Sequence, residues 1–212
     1  MLEALDLVGV ALECSVEAIE GQDVDLARMV VCDDDYTDAR YVEVNRGVVT
    51  ALGGRSLDEM QLRTAMALLQ ISRHVERVGD LCVNLAKLVH VDGPIPRTDA
   101  GLLEHIGRMG RLARGQLWRA KVALAERDVA LAEDLARRDR ELNQLNRASF
   151  RLALELGAAA EWREWAMHMM LAARWLERIG DNAVDIGEAA AFIATGTARE
   201  FTGRSPARPR AG

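Results

Sequence analysis

Residues 76–87 read ERVGDLCVNLAK, and residues 177–188 read ERIGDNAVDIGE. Five of the twelve positions are identical and three more exchange similar residues, so the chain contains an internal repeat. A second pair of segments, DVDLA at 23–27 and DVALA at 128–132, extends the repeat toward the amino terminus. The offset is 105 residues for this pair and 101 for the first, which indicates a four-residue length difference in one intervening turn.

Apolar residues recur along each copy in alternating steps of three and four, the spacing of one face of a helix. The series runs from Leu68 to Val89 in the first copy and from Ala172 to Ile193 in the second. No comparable stretch alternates with a period of two, so we expect an all-α protein. Helices are predicted at about residues 2–20, 23–52, 57–91, 98–126, 128–156 and 160–195.

Glycines and capping signals separate these helices. Gly21, Gly53-Gly54, Gly157 and Gly196 fall at predicted helix ends, and the pattern Ser56-x-x-Glu59 predicts a capping box at the start of the third helix. Three helices per copy predict two tandem three-helix bundles, at residues 1–93 and 97–195. Residues 196–212, which contain two prolines and several arginines, are expected to form a flexible tail.

The composition restricts the class of protein. Of 212 residues, 50% are hydrophobic and 28% are charged, which is typical of a globular protein. The net charge of −6 argues against a nucleic-acid partner. The three cysteines form no C-x-x-C pair, so neither a disulfide framework nor a thiolate zinc site is indicated. An acidic start and the absence of a long apolar run favour a cytoplasmic location.

Carboxylates are repeated on one helix side in both copies. Glu76 and Asp80 are four residues apart, as are Glu177, Asp181 and Asp185, so each set projects together. Like charges so placed repel, and a bound cation would turn this repulsion into attraction. A solvated acidic surface is the commoner explanation of such a pattern. The acids lie beside or opposite the apolar stripe, so we expect them to face outward.

Gly79 and Gly180 interrupt the two motif helices, each at a cost of about 1 kcal/mol relative to alanine. Two explanations remain open: a tight helix crossing, or space for an ion cluster or partner beside the carboxylates. The Glu-x-x-His element of di-iron bundles is absent, as are phosphate-binding loops and nucleophile elbows. We therefore do not expect an enzyme.

The twin Glu-Arg-x-Gly-Asp segments, each near the end of a three-helix repeat with an aspartate-bearing helix upstream, resemble the PhoU family of phosphate-transport regulatory proteins. The resemblance covers residues 1–195. It implies two bundles in pseudo-twofold relation, often in a homodimer, with carboxylate-held metal clusters on the bundle surfaces. The implied ligands are Asp34, Asp38, Glu76 and Asp80 in the first copy, and Asp139, Glu177, Asp181 and Asp185 in the second.

In this sequence Asn84 lies near the first set, and Asn143 replaces an acid in the second. Oxygen ligands suit Fe, Mn, Mg or Ca, and the resemblance adds Zn. The resemblance also implies a negative regulator of phosphate uptake and of the starvation response. Its partners would be an ABC-type phosphate transporter and a membrane sensor histidine kinase, contacted from the cytoplasm. A metal-dependent enzyme or metal-storage bundle and a metal-free helical adaptor remain as alternatives.

Overall fold

The computed structural model describes residues 1–54, 56–89 and 98–201. These residues form six α-helices, one short 3₁₀-helix at Ala160–Trp162 and no strand, which confirms the all-α prediction. The helices are α1 Leu2–Gly21, α2 Val24–Gly54, α3 Glu59–Ala86, α4 Ala100–Glu126, α5 Val129–Leu156 and α6 Arg163–Thr195. Within the described ranges, no helix is long and apolar enough to span a membrane.

The third helix differs from its prediction at both ends. It ends at Ala86 rather than near residue 91, and the division expected at residues 93–97 lies outside the described residues. The capping box predicted from Ser56 and Glu59 is wrong. Asp58 caps the helix instead: its side chain accepts from Gln61 N at 2.8 Å, and Gln61 Oε1 accepts from Asp58 N at 3.1 Å. An ionised carboxylate at this position also interacts favourably with the helix dipole.

The turns between the first two helices of each copy have the same geometry. Gln22 and Arg127 both adopt the left-handed conformation, with φ of 51° and 55°. Asp23 accepts a hydrogen bond from Leu26 N and Asp128 accepts one from the amide three residues later, each at 2.9 Å. The internal repeat is therefore present in the backbone at the predicted offset of 105 residues.

One continuous hydrophobic core joins the two copies. The helices α1 and α3 pack on α4 and α6 respectively, while α2 lies against α1 and α3, and α5 lies against α4 and α6. Side chains from both copies are fully buried in the same cluster, among them Leu12, Ile71, Leu102, Met169 and Ile179.

The helices α1 and α4 cross closely at Gly110. A Cβ atom at this glycine would lie 2.6 Å from Val16 Cγ2, so no larger residue fits without displacing the valine. Lys121 and Asp6 form an ion pair across the same interface, with 2.6 Å between Nζ and Oδ1. The two copies therefore pack closely against each other where α1 meets α4.

The segment that follows α6 contacts the bundle at Phe201. Gly196, with φ of 73°, ends α6. The Phe201 amide then donates to Glu188 Oε1 at 2.7 Å, and the Phe201 side chain packs against the core. Phe201 is therefore held against the bundle, at a position where the sequence predicts a flexible tail. Residues 202–212 lie outside the described residues.

Candidate metal centres

In each copy the middle helix crosses the motif helix at the motif glycine, and an aspartate lies above that glycine. A Cβ atom at Gly79 would be 3.2 Å from Asp34 Oδ1, and one at Gly180 would be 3.0 Å from Asp139 Oδ1. Thr37 and Leu142, also at equivalent positions, touch the same two glycines. The glycines therefore permit a close helix crossing, and in both copies the crossing brings a carboxylate over the motif.

We call the first group of carboxylates the first cluster: Asp34 and Asp38 on α2, with Glu76 and Asp80 on α3. Asp34 and Glu76 are half-buried, and the other two are exposed. Burial raises the pKa of Asp34, and the charges of Asp38 and Asp80 raise it further. Burial likewise raises the pKa of Glu76, with further effects of Asp80 and Asp38. The fold thus brings all four predicted residues close enough to repel one another.

The second cluster consists of Asp139 on α5 with Glu177 and Asp181 on α6. Asp181 is half-buried, and the expectation that the motif acids face outward is wrong for Glu177, because Glu177 is 8% exposed and Asp139 is 5% exposed. The close packing of α4 and α5 on α6 covers them. Gln116 from α4 reaches the same glycine, where a Cβ would lie 2.6 Å from its Oε1.

Burial and like charge act together on the second cluster. Burial raises the pKa of Asp139 to about 6, and the charges of Asp181 and Glu177 contribute to this rise. The pKa of Glu177 is also raised, first by burial and then by Asp181, while Arg174 opposes the change. Arg174 Nη1 donates to Glu177 Oε2 at 2.5 Å. Arg174 thus partly compensates one of the three acids.

One oxygen of Asp139 has no partner. Asn143 Nδ2 donates to Asp139 Oδ2 at 2.5 Å, whereas Oδ1 is buried without a hydrogen bond. The Gln116 amide is near enough to lower the pKa of Asp139, but no hydrogen bond of normal geometry joins the two side chains. A buried acceptor without a donor is costly, and a cation would satisfy it.

Asp185 shares a surface with Asp181, as the four-residue spacing predicts, and also meets residues of the first copy. It lies in a polar cleft of about 370 Å³ between α3 and α6, where the twin motifs meet. The cleft is lined by Arg77, Asp80, Leu81, Asn84, Arg178, Asp181, Asn182 and Asp185. Asp80 and Asp181 belong both to this cleft and to the clusters, so the two carboxylate groups are joined by one polar surface.

His74 connects the two copies through residues that line this cleft. Asn182 Nδ2 donates to the Arg178 carbonyl at 2.7 Å, so Asn182 Oδ1 is the acceptor for His74 Nδ1, at 2.8 Å. Asp185 Oδ2 lies 3.6 Å from the same nitrogen. No local signal identifies this contact, because its partner is 108 residues away.

The chemistry of the clusters fits a hard or borderline cation. The candidate ligand atoms are all carboxylate oxygens, and the pKa values of several of these carboxyl groups are raised. Asp139 Oδ1 is in addition a buried hydrogen-bond acceptor without a donor. Across the described ranges, however, no three His, Cys, Asp or Glu side chains converge as a metal site does. These carboxylates lie near one another without converging on one point.

Comparisons with known proteins agree with this architecture. A family model described as the PhoU domain matches residues 1–89 and 106–190. The chain is 31% identical over 194 residues to the phosphate-specific transport system accessory protein PhoU homolog of Caulobacter vibrioides, covering 90% of this chain and 82% of the relative. It is 32% identical over 185 residues to the homolog of the same name in Rhizobium meliloti, covering 86% and 77%.

The fold has a close structural counterpart. The crystal structure of PhoU from Pseudomonas aeruginosa superposes with a TM-score of 0.82 and 23% identity, over 92% of this chain and 94% of that one. At this identity the likeness shows the fold alone. Since the family model matches both repeats and two relatives exceed 30% identity over most of their length, the chain belongs to the PhoU family.

Proposed function

We propose that this protein is an accessory regulator of phosphate transport that lowers phosphate uptake and restrains the phosphate-starvation response. It would do so by binding an ABC-type phosphate transporter and a sensor histidine kinase at the cytoplasmic face of the membrane. The proposal is supported by the relatives, which are named accessory proteins of phosphate-specific transport systems and align along 77–82% of their length. A homodimer is the oligomeric state that we expect.

The observation that carries the metal part of the proposal is the aspartate above a motif glycine at both helix crossings. Each glycine costs about 1 kcal/mol of helix stability, and clustered like charges add repulsion. A structural crossing needs the glycine but not the acid. The placement of an aspartate at both equivalent positions, Asp34 and Asp139, therefore favours a role in binding cations.

The first cluster would hold its ion through Asp34, Asp38, Glu76 and Asp80. The second would use Asp139, Glu177 and Asp181, with Asp185 supplied from the adjoining cleft. When bound, an Fe, Zn, Mn or Mg ion supplies positive charge that offsets the carboxylate repulsion. The burial of the carboxylates determines where that charge would lie. It would be near the surface in the first copy, and it would be covered by α4 and α5 in the second.

Partner binding and ion binding would then be coupled. The charge on the helix faces depends on whether the clusters are neutralised, and a partner that distinguishes the two states must in turn change the ion affinity. The competing proposals are a helical metal-binding or metal-storage protein, and an adaptor without a phosphate role. They share the fold and differ in what the carboxylates and helix faces do.

Elemental analysis of the purified protein tests the ligand assignment. We expect metal in the parent protein and its loss in each of two double variants, Glu76→Ala/Asp80→Ala and Glu177→Ala/Asp181→Ala. Glu126→Ala/Glu133→Ala, which removes two exposed acids outside the clusters, serves as the matched control and should retain the metal. A parent protein without metal, whose melting temperature does not respond to Fe, Zn, Mn or Mg, would contradict the assignment.

The phosphate role requires a separate measurement in cells. In a bacterium whose own PhoU-family gene is deleted, expression of this chain should lower phosphate uptake and repress a starvation reporter. The two cluster variants should restore less of this repression than the control variant does. Metal binding without any effect on uptake or reporter would favour the storage alternative.

A further inference from the structure

A groove with a volume of about 1200 Å³ lies between α5 and α6, with Arg108 of α4 at its edge. It contains no residue of the carboxylate clusters. Three large apolar side chains at the groove are unusually accessible: Phe150 is 47% exposed, Met167 is 59% exposed and Leu171 is 44% exposed. Apolar residues grouped around a concave surface mark a binding site rather than a chance exposure.

The groove is also positively charged, although the protein as a whole carries a net charge of −6. It is lined by four arginines, Arg108, Arg147, Arg151 and Arg174, and by a single acid, Glu141. Arg108 pairs with that acid at 2.6 Å, and Arg174 pairs with Glu177. Arg147 and Arg151 form no ion pair with any described residue, so their charge is available to a ligand.

The first copy repeats these features only in part, because Met167 corresponds to Met66 and Arg151 corresponds to Arg46. At the offsets of 105 and 101 residues, Phe150 corresponds to Asn45 and Leu171 corresponds to Gln70. Arg147 corresponds to Val42. Since the first bundle folds without counterparts of Phe150, Leu171 and Arg147, these three side chains of the second bundle are not required for folding.

We propose that this groove binds an acidic amphipathic helix of a partner protein. Apolar residues at positions i, i+3, i+4 and i+7 of such a helix would cover Phe150, Met167 and Leu171, while its glutamates or aspartates meet Arg147 and Arg151. Methionine adapts its shape to different apolar surfaces, and arginine and aromatic residues are enriched at protein interfaces. The proposal rests on the partner-binding role described above and specifies the surface and the chemistry of the partner.

Binding of model peptides tests the groove directly. The probes are four fluorescent peptides of roughly 18 residues, about five helical turns each. Three share one leucine stripe and carry glutamate, glutamine or lysine on the polar face, and the fourth is a scrambled glutamate peptide. Anisotropy is measured in EDTA, so the result does not depend on metal or on phosphate regulation. The glutamate peptide should bind at least about tenfold more tightly than the other three.

Two groove variants and one control variant test whether the peptide binds at the groove. Arg147→Glu/Arg151→Glu should weaken the glutamate peptide by about tenfold or more through charge repulsion. Phe150→Asn/Leu171→Gln, which copies the first repeat at exposed positions, should weaken all peptides that carry the leucine stripe. Arg28→Glu/Arg46→Glu makes the same charge change at exposed positions of the first bundle and should leave affinity unchanged. Circular dichroism checks that each variant is folded.

Several outcomes would overturn the proposal. These are no binding by any peptide, equal binding of the glutamate and scrambled peptides, preference for the lysine peptide, or full binding by both groove variants. Vesicles of phosphatidylglycerol and phosphatidylcholine provide the remaining comparison. If the parent protein binds these vesicles in preference to the glutamate peptide, and Arg147→Glu/Arg151→Glu abolishes vesicle binding, the groove recognises an anionic membrane instead.

Discussion

Asp139 is the described carboxylate on which burial has the clearest chemical effect. It is 5% exposed, its pKa is raised to about 6 by burial and by two neighbouring acids, and one of its oxygens lacks a partner. Ionising this group in the folded protein is therefore costly. The equivalent Asp34 is half-buried, so the two clusters differ in how strongly each would respond to a cation.

The raised pKa of Asp139 predicts a pH-dependent stability in metal-free protein. Between pH 3.8 and about 6 the folded state binds more protons at this group than the unfolded state, so the free energy of unfolding falls as pH rises. Asp139→Asn removes this contribution. As pH rises across that interval, the free energy of unfolding of the variant should increase relative to that of the parent by up to about 3 kcal/mol. Urea denaturation in EDTA measures this difference.

Asp134 provides a control of opposite sign. A hydrogen bond from Arg138, helped by nearby arginine charges, lowers the pKa of Asp134. Its stabilising contribution is present above the unfolded pKa and is lost as pH falls through the folded one. Asp134→Asn should therefore be less stable than the parent at neutral pH and equal to it in acid. If Asp139→Asn showed this same trend, the assignment of the buried acid would be refuted.

At the level of helices, close crossings explain why the second cluster is the more buried. A Cβ atom at Gly187 would lie 2.5 Å from Leu135 Cδ1, and one at Gly180 would overlap Leu142. The α5 and α6 helices therefore approach closely at two successive points. In the first copy Ala86 occupies the position equivalent to Gly187, and Gly79 is the only glycine at the crossing.

The start of α3 offers a prediction about a single cap. Asp58→Ala removes the side chain that accepts from Gln61 N, and it should lower the free energy of unfolding by about 1 kcal/mol. Urea denaturation followed by circular dichroism measures the change. Ser56→Ala should have no effect, because Ser56 is exposed and lies outside the cap. A larger loss in Ser56→Ala than in Asp58→Ala would show that the helix begins at the earlier signal.

For the whole molecule, the continuous core predicts that both bundles unfold together. All four tryptophans, at 118, 162, 165 and 175, belong to the second copy, so their fluorescence reports on that copy alone. Far-UV circular dichroism reports on both. Since buried residues of the two copies share one cluster, the urea midpoints from the two probes should coincide.

A variant at the contact between copies strengthens this test. Gly110→Val would clash with Val16 where α1 crosses α4, and overpacking of this kind costs about 1–3 kcal/mol. It should shift both midpoints by the same amount. A fluorescence midpoint that stays in place while the circular dichroism signal splits into two steps would show that the bundles are independent.

The sequence by itself determined the all-α fold, the two copies and their offset, and the grouping of acids along each motif helix. These features depend on local rules: helical periodicity places Glu76 beside Asp80 in any surroundings, and left-handed turns followed by aspartate caps recur at Gln22 and Arg127. The cap of α3 did not follow from the sequence, because Ser56 and Asp58 both carry an acceptor in the same short segment.

Only the tertiary structure decided which acids are buried, which neighbours they meet and where other surfaces form. Asp139 and Glu177 are covered because α4 and α5 lie close to α6, and His74 meets Asn182 across 108 residues. The basic groove likewise combines residues of three helices. Such arrangements depend on how closely distant helices cross, which is determined by the packing of the whole core and not by spacing along one helix.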